Sequence, residues 1–175
     1  MPLVFFFLCI LLLAFGTALL PILVRYIKRY YPSLNIHDAP SWLPILAGLL
    51  LVLSIFLPNI HISNQTTTFQ QHFVGGGMYS ACLYMYIKQL LGWRPHWAQD
   101  WLTLYAWVSA LGVANKMLEF ALLELKLANI YTGDAYWDLL ANTLGGFVGY
   151  GLLMLVTVWI VPSHHKQQNI KHDNH

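Results

Sequence analysis

Charge is what this sequence has least of. Only 9% of its 175 residues are Asp, Glu, Lys or Arg, against 58% that are apolar, and the mean hydropathy is +0.55. Soluble domains carry about 25% charged residues, so a water-soluble globule of this length is excluded. A formal charge of +2 with dispersed basic residues lacks the basic stripe that nucleic-acid binding requires, and no nucleic-acid partner is expected. Cysteine is scarce as well. Cys9 and Cys82 both fall in apolar runs and read as small buried hydrophobes rather than a disulfide or redox pair. The sequence has no Gly-x-Ser-x-Gly elbow, no His-Glu-x-x-His zinc helix, no phosphate loop and no dinucleotide fingerprint. No cofactor is expected, and no spacing of ligands demands a metal.

Present instead are long apolar runs. Their lengths predict an all-α, polytopic membrane helix bundle, a single integral domain over residues 1–175, with five spans near 3–24, 42–57, 73–88, 101–124 and 137–161. The first run is followed, not preceded, by Arg25, Lys28 and Arg29, which favours a retained span over a cleaved signal peptide. Pro21 late in that run is expected to bend its helix. Tyr30, Tyr31 and Trp42 read as aromatics at the membrane boundary. The connection Asn59 to Gln71 is polar and free of Lys and Arg, and Lys88 is placed to snorkel from the end of the third span. The C-terminal tail, with four His, reads as solvated rather than metal-binding.

Orientation follows from the bias of Lys and Arg between alternate connections. With five spans and the N-terminus outside, the inner side receives Arg25, Lys28, Arg29, Lys88, Arg94, Lys166 and Lys171, and the outer side only Lys126. The C-terminus is then inside.

The polar residues concentrate in and around Thr132 to Gly151, T-G-D-A-Y-W-D-L-L-A-N-T-L-G-G-F-V-G-Y-G. Asp134, Asp138 and Asn142 are four apart and share one helical face. Gly145 and Gly149 extend that face as a small-xxx-small pair for close helix packing, with Gly146 beside them. Carboxylates are costly in hydrocarbon and need a partner or a role. The five-span topology brings His72, Glu119, Asp134, Asp138 and Asn142, from three helices, to one side of the membrane. Each also has a plainer reading. Lys116 and Glu119 are i,i+3 and can neutralise each other. Asp134 suits the first turn of a helix, where the dipole favours an anion. His72 suits an interfacial position. Gly75, Gly76 and Gly77 read as a packing surface rather than a ligand cradle. His72, Glu119 and Asp138 are competent metal ligands, although their spacing does not require one. Asp138 and Asn142 are expected to face the bundle interior and touch polar groups of the third and fourth spans.

The segment Asp138-Leu-Leu-Ala-Asn142-Thr-Leu-Gly145-Gly146 resembles the D-x-x-x-N-x-x-G signature of the VanZ-like membrane proteins, named after a teicoplanin-resistance protein. Asp134 resembles the aspartate that often precedes that signature, His72-Phe-Val-Gly75-Gly76 its earlier histidine–glycine element, and Glu119 or Glu124 its glutamate on the preceding helix. The resemblance covers about residues 68–160. It lacks an aspartate just before His72, a Glu-x-x-Gln pair and an arginine ahead of Asp134. It implies a multi-pass protein of the bacterial cytoplasmic membrane that affects glycopeptide susceptibility. The functional expectation is a non-enzymatic envelope factor whose outward polar cluster binds a lipid or lipid-linked cell-wall precursor head group. The alternative is a membrane enzyme using the same His/Glu/Asp cluster for acid–base or metal-assisted chemistry. Beyond the lipid bilayer and such a precursor no partner is indicated, and the sequence does not set the oligomeric state.

Overall fold

The computed structural model describes residues 2–62, 65–125 and 135–160. The apolar runs fold as helices because a backbone in hydrocarbon has no water to satisfy its amides and must bond to itself. Helix α1 spans Pro2–Tyr30 and keeps Pro21 inside its length, so the basic residues Arg25, Lys28 and Arg29 belong to its last turns rather than to a connection. Helix α2, Trp42–Ser54, returns against α1. It is shorter than the expected 42–57 span. Ser54 bonds back to the Leu51 carbonyl at 2.8 Å and the chain turns away.

The following polar connection holds an antiparallel hairpin, β1 (Ile60–Ile62) and β2 (Gln65–Thr67), with His61 opposite Thr66. A continuous helical rod then runs from Phe69 to Leu90, on the order of 30 Å. It comprises α3 (Phe69–His72), a π-helical segment (Phe73–Met78) and α4 (Tyr79–Leu90). The third helix therefore starts before the expected residue 73. Helix α5 covers Trp97–Glu124 and α6 covers Ala135–Ile160.

Among the described residues three stretches are long and apolar enough to cross a membrane: Phe7–Tyr30, Trp97–Glu124 and Ala135–Thr157. Helix α6 lies at the centre of the fold, packed against α3, the π segment, α4 and α5, while α2 packs on α1 and α4. The buried core runs through Leu43, Ala47, Ala81, Leu104, Val108 and Tyr150. Large apolar side chains such as Leu12, Phe15, Phe56 and Leu102 face outward, as a lipid-facing surface requires.

Candidate functional site

The site is built where α6 crosses the π segment. Both helices carry glycines there, and the two backbones touch. A Cβ on Gly145 would stand 2.1 Å from the Phe73 carbonyl oxygen, and one on Gly77 would stand 2.5 Å from the Asn142 carbonyl oxygen. The other small residues also sit at crossings: Gly75 against Ser54, Gly146 against Val108, and Gly149 against Met78. The wider π turn frees backbone groups. Ser80 meets one of them, donating to the Gly76 carbonyl at 2.6 Å.

This close crossing carries the polar face of α6 inside. Asp138 is 1% exposed and Asn142 4%. Oδ1 of Asp138 accepts a hydrogen bond from Thr68 Oγ1 at 2.9 Å. Its Oδ2 meets the Lys116 ammonium and lies 3.3 Å from His72 Nε2. Lys116 also reaches Glu119 Oε2 at 2.6 Å, and Asn115 donates to Glu119 Oε1 at 2.7 Å. The i,i+3 neutralisation of Lys116 by Glu119 is thus one half of a bridge. The same ammonium serves a carboxylate on each of two helices.

Asn142, one turn deeper, lies over the bare Cα of Gly76, where an added Cβ would stand 1.7 Å from Oδ1. Gly112 of α5 leaves room for its amide, since a Cβ there would come within 3.2 Å of Nδ2. Oδ1 of Asn142 is buried with no hydrogen-bond donor among the described residues. An acceptor in that state costs free energy until a donor arrives.

Asp138 therefore meets His72 directly and Glu119 through Lys116, with Asn142 one turn deeper. Glu124 is exposed at the end of α5, and Asp134 lies outside the described residues. No set of three His, Cys, Asp or Glu among the described residues converges as metal ligands. The Lys116 ammonium occupies the place between Asp138 and Glu119 that a cation would take. Counting Lys116, Asp138 and Glu119 alone, the cluster carries one surplus negative formal charge.

A second polar cluster sits at the opposite end of the same helices. Asp100 in the first turn of α5 is 5% exposed. It accepts from Tyr84 at 2.7 Å and meets both Lys88 and the Tyr150 hydroxyl, and Lys88 also donates to that hydroxyl at 2.7 Å. Lys88 does not snorkel to solvent, as its position at the helix end suggested; its ammonium is turned inward to a carboxylate. The signal was present in α5, whose buried residues Asp100, Leu104, Val108, Gly112 and Lys116 recur every fourth position. One apolar stripe thus carries an acid at one end and a base at the other, about 24 Å apart.

Compared with protein-family models, with curated proteins and with solved structures, the chain gives no significant match.

Proposed function

We propose that this chain is a multi-pass protein of the bacterial cytoplasmic membrane, with a VanZ-like C-terminal region. Its Asp138 cluster binds the polar head group of a lipid or lipid-linked cell-wall precursor without transforming it. In this reading α2 and the Phe69–Leu90 rod cross the membrane with the three longer helices, the N-terminus is outside and the cluster opens outward. The connection that holds the hairpin and leads into His72 is free of Lys and Arg, while the opposite end carries Arg25, Lys28, Arg29, Lys88 and Arg94, which supports that orientation.

The observation that carries the binding role is the unmatched Oδ1 of Asn142, set beside a Lys–Asp–His group at a helix crossing. The cluster offers acceptors on Asn142, Asp138 and Glu119, a charge-assisted donor on Lys116 and the imidazole of His72. A head group bearing hydroxyl or amine donors together with an acidic group matches both sets. Bound near the outer surface, such a precursor would be withheld from glycopeptide antibiotics, which is how the chain would alter susceptibility to them.

An acid–base enzyme is the second reading. It is favoured by the 3.3 Å contact of His72 Nε2 with Asp138, the way a carboxylate orients an imidazole base. No nucleophile motif accompanies it in the sequence. Reporter fusions at Gln65 and after His175 test the orientation: activity outside for the first and inside for the second is expected. Titration of the purified full chain in nanodiscs with a polyprenyl-linked cell-wall precursor tests the role. Saturable binding with the precursor recovered unchanged supports it, and turnover of the precursor points to the enzyme.

A further inference from the structure

The end of the bundle opposite the Asp138 cluster holds a cavity of about 400 Å³, within the size range of sites for small ligands. Its walls are the connection between α1 and α2, the end of α4, the loop that follows and the last turns of α6; His37, Asp38, Lys88, Gln89, Trp93 and Arg94 line it. These walls are tied together. The His37 amide donates to the Leu90 carbonyl at 2.8 Å. Gly92, at φ +61°, lies against the His37 ring so closely that a Cβ would come within 2.4 Å of it. A side chain there would meet both a left-handed backbone and the ring.

The lining is chemically one-sided. Lys88 has three N–H donors, two of which serve Asp100 and Tyr150, and its side chain lines the cavity. Arg94 has no hydrogen-bond or ion-pair partner among the described residues. Asp38, the one carboxylate of the lining, is turned to Lys28 at 2.6 Å. The Lys28 hydrogen bond and charge hold its carboxyl below the ordinary range. Trp93 gives the mouth an aromatic of the kind that sits at head-group depth. Across this end of the bundle Arg25, Lys28, Arg29, Lys88 and Arg94 outnumber Asp38 and Asp100.

We infer that this cavity is a phosphate-binding site, occupied by the head group of an anionic phospholipid with its phosphate between Lys88 and Arg94. The fixed ammonium supplies a positioned charge and the free guanidinium a bidentate fork for phosphate oxygens. The two glycerol-linked chains leave along the apolar sides of α4 and α6. A soluble phosphate ester presents the same group without the chains. The inference does not depend on the function proposed for the Asp138 cluster.

The test is native mass spectrometry of the full-length chain in detergent, titrated with phosphatidylglycerol, with phosphatidylcholine and with inorganic phosphate. One tightly held phosphatidylglycerol is expected, weakened about tenfold in Arg94→Ala as a lost charge-assisted pair implies. Arg94→Lys should restore part of the loss. Arg29→Ala, an equal loss of charge at the same end but away from the lining, should change binding by less than about twofold. Displacement of the lipid by inorganic phosphate, with the same Arg94 dependence, assigns the site to a soluble phosphate ester. Equal losses in Arg29→Ala and Arg94→Ala, or phosphatidylcholine held as tightly as phosphatidylglycerol, overturn the proposal.

Discussion

The Lys116 ammonium on α5 meets the Asp138 carboxylate on α6 in a site where neither side chain is more than 10% exposed. The pair joins two helices at the level where α6 also touches α3 through Thr68 and His72. Each charge is tolerated there because the other is present, since stranding either one at depth costs several kcal/mol relative to the intact pair.

Removing Lys116 alone should therefore cost more than removing Lys116 and Asp138 together. Lys116→Met strands both Asp138 and Glu119 and is expected to destabilise the bundle by about 3–5 kcal/mol; adding Asp138→Leu removes one of the two stranded carboxylates and should recover part of that loss. Unfolding of the reconstituted protein by denaturant, measured as a double-mutant cycle, checks this. Additive losses would mean that the two groups do not compensate each other.

Close backbone contact makes Gly145 intolerant and leaves Gly151 tolerant. A Cβ on Gly145 meets the Phe73 carbonyl at 2.1 Å, while one on Gly151 meets nothing within 4 Å. Gly145→Ala should cost about 1–3 kcal/mol through forced separation of α6 from the π segment, and Gly151→Ala should be near neutral. Thermal unfolding of the two variants side by side separates them.

At the opposite end, Lys88→Met strands Asp100 with only tyrosine partners and should lower stability by about 3–5 kcal/mol. Tyr150→Phe removes one hydroxyl and keeps the ring that packs edge-on against Trp101 at 5.2 Å, so its cost should be about 1–3 kcal/mol. The order of the two unfolding midpoints in denaturant is the readout.

Composition and run length were enough to read membrane helices, because hydrocarbon leaves a backbone few other choices. The spacing of Asp138 and Asn142 put them on one face, and the contacts of Asp138 with Thr68, His72 and Lys116 follow from the cost of turning it to lipid; Asn142, expected to touch polar groups as well, is buried with its Oδ1 unmatched among the described residues. Other features depended on contacts far apart in sequence. The π segment arises where Gly76 and Gly77 meet α6 and Gly75 meets Ser54 of α2, a tertiary constraint that local propensity does not encode. The hairpin at Ile60–Thr67 is short and polar, with little apolar alternation to announce it. Lys88 and Asp100 look like a snorkelling base and a loop acid when each is read alone. Only the fourfold repeat along α5 ties Asp100 to the buried stripe that ends at Lys116. Thr68, a donor to Asp138, carried no signal beyond being polar near the head of a helix.

The central claim is that the Asp138 carboxylate works in ligand binding rather than only bridging helices. Asp138→Asn keeps the shape of the side chain and an acceptor for Thr68 but removes the charge that Lys116 and His72 face. The decisive measurement is the affinity of the full-length chain in nanodiscs for a polyprenyl-linked cell-wall precursor, wild type against Asp138→Asn, with unfolding followed in parallel. Binding weakened by about tenfold or more, as loss of a charge-assisted contact implies, in a variant that still folds is the predicted result. Wild-type affinity in Asp138→Asn, or no precursor binding by the wild type, would contradict it.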